Sequence, residues 1–265
     1  MRLFRVWLCL MLVAFSGQAR ELNVALADVD YGPFYYQENN EIHGISVEIL
    51  AHVLQEVRAT PQYNRLPWSR VLEELKDGRQ DLVTVLYLTR SRRSQYAYVS
   101  PAYLRDSINL LCHKPCNLAF TGSLADVHGR YVGVTRNFSY GEKLDHEEGI
   151  RRQTVEREPE LFRLLSQGKL KLAVASRITF LWRASRQDLL RKVEVMEPAL
   201  DSVGIHFVLG RKVAEDKAFT TEFSQALRDY LQSPAYQKKL KEYQLEQHSI
   251  LQPVFADTHI AQAPR

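Results

Sequence analysis

The sequence predicts an α/β protein built as two similar lobes with a ligand cleft between them. Three observations carry that reading. Extended and amphipathic stretches alternate from Leu22 to Leu88, the order that gives a mostly parallel sheet covered by helices on both faces. The alternation then starts again near Ile108. No Pro-, Gly- or Ser-rich linker separates the two runs, so extended segments should join the lobes, and a cleft between two such units is a preferred place for a small ligand.

The elements follow in order. "ELNVALADVD" opens with Leu22, Val24 and Leu26 alternating, a strand that "YGP" then breaks. In "GISVEILAHVLQEV" the residues Leu50, Val53, Leu54 and Val57 recur at helical spacing. "PQYNRL" returns to extended character. "PWSRVLEELKDG" is a short helix, with Pro67 able to start it, Val71, Leu72 and Leu75 on one face and Gly78 past its end. "DLVTVLYL" is a buried strand. In the second run "INLLC" and "GRYVGVT" are strands and "NFSYGEKLD" opens a helix. "EPELFRLLSQG" is a helix closed by Gly168, "KLAVAS" a strand, "RITFLWRASR" a helix, and "VEVME" and "GIHFVLG" are extended. A long helical segment follows, with Phe223, Ala226, Leu227, Tyr230 and Leu231 on one face. "HSILQPVFADTHIAQAPR" is expected to be a loosely held tail.

The first residues set the compartment. Arg2 and Arg5 precede "VWLCLMLVAF", an apolar run shorter than the ~20 residues of a membrane span. Gly17 and Ala19 then stand two apart, as a signal peptidase requires, so residues 1–19 read as an export signal cut after Ala19. Cleavage removes two arginines and no acid, and the formal charge falls from +4 to +2. That balance argues against nucleic acid as a partner, which calls for a basic excess or a basic face. About 245 residues remain, enough for one large domain or two of ordinary size.

Export also bears on the cysteines. Cys112 and Cys116 bound the short stretch "CHKPC", and in an oxidising compartment such a pair is expected to form a local disulfide. A metal site using His113 would lack a second pair of ligands nearby, so no metal is expected. No cofactor motif is present either: the chain has no P-loop, no G-x-G-x-x-G, no H-E-x-x-H and no G-x-S-x-G elbow.

Chemistry gathers at the ends of the predicted strands. "DVDYGPFYY" follows the first strand, "LPWSR" opens a helix, and "YLTRSRR" follows another strand. Arginine grips a carboxylate through two parallel hydrogen bonds, an acid pairs with an ammonium, and Tyr, Phe and Trp supply apolar walls and cation–π faces. The mixture suits a small zwitterion. The three arginines Arg90, Arg92 and Arg93 are equally compatible with a solvated helix start.

These motifs, taken in order, resemble the bacterial extracellular solute-binding proteins of family 3, the amino-acid-binding type of periplasmic binding protein. The resemblance runs from about Glu21 to Tyr243. It rests on "YGPF" after the first strand and on "GISVEI" opening the first helix, with Glu48 where the family has Asp. It rests further on "PWSRVLEELKDGRQD", "TRSR" and "VSPAY". It implies a type II periplasmic-binding-protein-like fold, with residues 20–106 and 207–245 in lobe one, residues 107–206 in lobe two and a tail over 246–265. The lobes are expected to carry separate sheets and to hinge near Asp106–Asn109 and Val203–His206. The resemblance assigns the ligand's α-carboxylate to an arginine: matching on Thr89 puts it at Arg92, and counting without gaps from Asp81 to Ser100 puts it at Arg93. Arg92 is preferred, because Thr89 then keeps its place as a second carboxylate donor. Asp28 and Tyr31 carry over as the first-strand turn and Trp68 as the aromatic wall.

Lobe two departs from the family pattern. In "GKLKLAVAS", Lys171 replaces one acid, and Ser176 replaces the acid that the family uses for the ammonium. Arg136, Phe138 and Ser139 of "VTRNFSYG" should face the cleft. Either Asp28 or Glu48 is left to supply the missing charge, or the ligand lacks an amine. The expectation is therefore a monomeric periplasmic protein that binds an amino acid or organic acid, is not an enzyme, and serves a membrane permease of an ABC transporter. The rivals are a cyclohexadienyl dehydratase-like enzyme on the same scaffold and a ligand-sensing partner in signalling.

Overall fold

The computed structural model describes residues 19–250. Residues 1–18 of the expected export signal and residues 251–265 of the expected tail lie outside them. In chain order the elements are β1 (Arg20–Ala27), a small hairpin of β2 (Tyr36–Glu38) and β3 (Glu41–His43), α1 (Ile45–Glu56), β4 (Ala59–Leu66), α2 (Trp68–Asp77), β5 (Leu82–Tyr87), α3 (Arg90–Arg93) and β6 (Ala97–Tyr98). There follow β7 (Leu104–His113), β8 (Tyr131–Thr135), α4 (Glu142–Asp145), β9 (Arg151–Val155), α5 (Glu158–Ser166), β10 (Leu172–Ser176), α6 (Arg177–Ala184) and β11 (Val193–Val195). The chain then forms β12 (Asp201–Leu209), α7 (Arg211–Glu215), α8 (Lys217–Leu231) and α9 (Pro234–Glu242).

The restart of the alternation has a structural counterpart. β1 lies between β4 and β5 and pairs parallel with both. β8 lies between β9 and β10, again parallel to both. In each half the first strand takes the middle place, and its neighbours are reached by connections leaving to opposite sides. Such a reversal opens a crevice at the carboxyl ends of the strands. Both faces of β1 are covered, and Leu22, Val24, Ala25 and Leu26 are all buried, as expected of a strand in a parallel sheet.

Two long strands join the halves. β7 and β12 pair antiparallel from Ile108↔Asp201 to Leu104↔Ile205. Beyond that stretch β7 continues onto β10 and β12 onto β5. Hydrogen bonding therefore runs unbroken from β4 to β9, where two separate sheets were expected. The reason is length: with 10 and 9 residues, each crossover strand pairs with the other at one end and with its own half at the other.

The helices bury the faces that their spacing predicts. α1 turns in Ile49, Leu50, Val53 and Leu54, and α8 turns in Phe223, Leu227, Tyr230 and Leu231. Gly78, at φ 70°, ends α2 in the left-handed conformation that glycine adopts without steric cost. The long C-terminal helix of the sequence reading is two helices: Ser233 accepts the Tyr236 N–H as a cap, and Pro234 stands in the first turn, where its missing N–H costs nothing. The helix expected to open in "NFSYGEKLD" is confined to α4, because the Asp145 carboxylate folds back onto the Ser139 hydroxyl and the Tyr140 N–H. The start of the expected tail is packed rather than loose. His248 and Ser249 are buried, and His248 Nδ1 lies 2.9 Å from the Arg105 carbonyl.

Candidate functional site

A cavity of about 380 Å³ opens at the carboxyl ends of the two middle strands. Ala27–Val29 reach it from β1, Val85–Tyr87 from β5 and Thr135–Ser139 from β8. Tyr31, Tyr35, Trp68 and Arg92 line it from the first half, and Glu156, Arg157 and Glu158 from the second.

The walls are aromatic. The turn after β1 is closed by the Tyr31 N–H donating to the Tyr35 carbonyl at 2.9 Å, which sets the buried Tyr31 ring over Phe34 at 5.5 Å. Phe138, arriving from the other half, meets Tyr31 edge-on at 5.8 Å and Trp68 at 6.0 Å. These are the edge-to-face contacts that ring quadrupoles favour. Asn137 precedes Phe138 with φ 61°, a conformation that Asn tolerates better than most residues. Its carbonyl accepts from the Trp68 indole at 3.2 Å and from Arg92 Nη2 at 2.9 Å. Two donors of the first half thus meet one acceptor of the second.

Charge lines the cavity in near-balance. Three arginines and three acids face it: Arg92, Arg136 and Arg157, with Asp28, Glu156 and Glu158. Arg136 Nε donates to Glu156 at 2.8 Å, and Arg157 Nη2 donates across the cleft to Asp28 at 2.9 Å. Among the described residues, Arg92 has no acid, and Glu158 no base, within ion-pair distance. Glu158 is 3% exposed, and its Oε1 accepts from the Thr179 hydroxyl at 3.0 Å. Burial pushes its carboxyl up to about 8, against the Thr179 hydrogen bond and the Arg183 charge, which lower it, while the Asp106 charge adds to the rise.

A second buried acid stands behind the cavity. Asp106 Oδ2 on β7 accepts from the Tyr87 hydroxyl at 2.7 Å and from the Ser176 hydroxyl at 2.5 Å. Its Oδ1 is buried without a hydrogen-bond partner among the described residues. Burial raises the Asp106 carboxyl, and it raises the Tyr31 and Tyr87 hydroxyls well above the ordinary tyrosine range.

A family model, bacterial extracellular solute-binding proteins, family 3, matches residues 23–246. The chain belongs to this family. Three solved structures place the fold. A P235GK mutant of ArgBP from T. maritima is 17% identical, covers 84% of this chain and 94% of its own, and superposes with a TM-score of 0.72. A periplasmic binding protein of Salmonella typhimurium, described for its high arginine specificity, is 18% identical over 84% and 99% of the two chains, with a TM-score of 0.69. A histidine kinase sensor domain with similarity to periplasmic binding proteins is 19% identical over 86% and 97%, with a TM-score of 0.75. No curated protein matches the chain. The fold is thus the two-lobed one of periplasmic binding proteins, and the family is one of solute-binding proteins.

Within this solute-binding protein the structure gathers most of the residues singled out in the sequence. Asp28, Tyr31, Trp68, Arg92, Arg136, Phe138 and Ser139 all line the cavity. Ser139, however, directs its hydroxyl to Asp145. Thr89, Arg93 and Ser176 do not line it. Thr89 is buried and caps α3, its hydroxyl accepting the Arg92 N–H at 3.3 Å, so it positions the arginine. Arg93 is exposed on the same short helix. Ser176 caps α6 by accepting the Thr179 N–H at 3.1 Å and holds Asp106. Glu48 is also elsewhere: Lys239 lies 2.5 Å away, and the Tyr243 hydroxyl donates to it. Cys112 and Cys116 are bonded, as their spacing suggests. No cluster of metal-ligating side chains occurs among the described residues, and no helix among them is long and apolar enough to cross a membrane.

Sequence reasoning missed Tyr87, Asn137, Arg157 and Glu158 as cavity residues. Tyr87 reads as the end of a buried strand. Glu158 reads as an ordinary acid at a helix start, where the macrodipole favours it.

Proposed function

We propose that this protein captures a small carboxylate-bearing solute, an amino acid or a close relative, in the cavity between its halves. One observation carries the reading: of the three cavity arginines, Arg92 alone lacks an acidic partner among the described residues. A cation held at an aromatic-walled cavity with its charge unanswered is suited to a carboxylate, which the guanidinium fork can grip with two hydrogen bonds. Thr89 and the first turn of α3 fix its position. The Trp68 and Phe138 rings, meeting across the cleft, would cover the apolar part of the solute. Residues 20–106 with 207–245 act as one lobe and 107–206 as the other, opening about the crossover strands β7 and β12. The family supports a periplasmic location, the export signal expected over residues 1–19 agrees with it, and delivery to a membrane permease would follow.

The likeness to a histidine kinase sensor domain favours a second reading, in which the same capture reports the solute to a signalling partner. A thermal-shift screen of the mature chain against amino acids and organic acids tests the shared part of both, since a ligand of the folded state raises its melting temperature by mass action. The reading requires at least one carboxylate to shift the wild-type protein and the same concentration to give a much smaller shift in Arg92→Ala. Carboxylate binding that Arg92→Ala leaves undiminished would refute it.

A further inference from the structure

We propose that Glu158, at the start of α5, receives a positively charged nitrogen of the solute, so that the cavity selects amines among carboxylates. The inference rests on the reading of the cavity as a solute site and deepens it. The elimination that singles out Arg92 applies in reverse to the acids. Asp28 is answered by Arg157 and Glu156 by Arg136, whereas Glu158 faces the cavity with only the Thr179 hydroxyl bonded to it. A buried carboxyl without a base is costly in its charged form, and a ligand cation is the group that would offset that cost.

The surroundings deepen the demand for a cation. Thr179 also binds the backbone at Ser176, and Ser176 donates to Asp106, which Tyr87 holds in turn. Two buried acids therefore share one hydroxyl network beneath the cavity. The groups facing Glu158 from the packed elements are Asp106 on β7, Arg183 on α6, Tyr31 and Tyr35 after β1, Tyr87 on β5 and Tyr140 after β8. Arg183, the one cation in this set, turns its Nη2 to the Asp30 carbonyl at 3.2 Å and makes no ion pair with Glu158. The position that the family resemblance marks for an acid, 176, holds a serine committed to Asp106 and to the α6 cap. Glu158 supplies the negative charge from α5 instead.

A proton follows from this arrangement. Burial keeps the empty-site Glu158 carboxyl neutral at pH 7, and an arriving ammonium favours the carboxylate. Binding then releases the Glu158 proton to solvent, and the pair carries no net charge into the cavity.

Calorimetry on the full mature chain tests this with matched probes: the twenty common L-amino acids, and for each the same carboxylate without its α-amino group, such as 3-phenylpropanoate beside phenylalanine. At least one amino acid should bind, and its amine-free partner should bind about 100-fold more weakly. Affinity for the amino acid should rise about tenfold per pH unit between about pH 5.5 and 7.5, with close to one proton released per solute at about pH 6.5, read from the dependence of heat on buffer. Glu158→Gln, nearly isosteric, should narrow the preference for the amine to under about tenfold and flatten the pH profile. Amino acids and amine-free partners that bind equally, or a wild-type profile without proton release, would overturn the role of Glu158 even if Glu158→Gln failed to fold. Amine-free carboxylates that bind well and depend on Arg92 would leave the carboxylate site standing while removing Glu158. An absence of any binder in the whole panel would overturn the proposal together with the reading on which it rests.

Discussion

Replacing Arg92 by alanine tests the site most directly, because its neighbours Arg90 and Arg93 serve as internal controls on the same four-residue helix. The guanidinium carries five N–H donors in a fixed fork, and one nitrogen, Nη2, is engaged at 2.9 Å by the Asn137 carbonyl. The remaining donors are available for two charge-assisted bonds to a carboxylate, each worth about 1.5–3 kcal/mol. Arg92 is only half-buried, which trims the sum, so the expected loss is about 3 kcal/mol, roughly 150-fold in Kd. Arg90 and Arg93 are exposed, and neither lines the cavity, so alanine at either should change binding by under about 1 kcal/mol. Calorimetry with an amino acid identified by the thermal-shift screen measures all three. Equal losses at the three positions, or none at any, would mean that the cluster is a solvated basic face and that the elimination leading to Arg92 is wrong.

Other outcomes follow from the same geometry. Glu158 holds its proton in the folded state up to about pH 8, against a usual value of 4.5, so between these values the folded state binds more protons than the unfolded one and stability falls as pH rises. At about 1.4 kcal/mol per pH unit, Glu158→Gln should gain up to about 5 kcal/mol on the ligand-free wild type by pH 8 and little below pH 4.5, as urea unfolding across pH would record. Burial lowers the pKa of His206 and His248, so their contribution is lost as pH falls below the usual histidine value, in both proteins alike; the difference between the two profiles is therefore the informative quantity. Reducing the Cys112–Cys116 bond, which closes a loop of sequence separation 4, should cost about 2 kcal/mol and lower the calorimetric Tm by about 4–8 °C; an unchanged Tm would show that the bond does not restrain the unfolded chain. Trp68→Ala removes a cavity wall and the indole bond to Asn137, and should weaken solute binding by about 2 kcal/mol, with equal affinity in titrations counting against the closed cleft as the bound form.

How much was legible in the sequence depended on which force each residue answers to. Apolar periodicity follows directly from burial, so α1, α8 and the strands around β1 stand where Leu50, Phe223 and Val24 put them. Breaks that depend on one local bond were harder: the Ser233 cap splits the last helical segment, and Asp145 folding onto Ser139 shortens α4. The unbroken sheet was invisible because pairing between β7 and β12 joins residues nearly a hundred positions apart. The location of the site was implicit in the strand order, since two middle strands flanked on both sides imply a crevice at their carboxyl ends.

Its charge distribution was not, and the reason is physical. The sign of a side chain is written in the sequence, but whether that charge is answered is decided by pairs such as Asp28 with Arg157, 129 positions apart. Read singly, Asp28 is one of two acids, with Glu48, left to replace the one missing at Ser176, and Glu158 is an unremarkable helix-start carboxylate. Paired in space, the roles exchange: Asp28 is neutralised across the cleft, and Glu158 is left buried and without an ion pair among the described residues. The same pairing separates Arg92 from Arg136 and Arg157, three residues of one chemical type and one cavity. Specificity in such a site resides in what remains after the protein's own charges have cancelled, and that remainder exists only once the two halves have met.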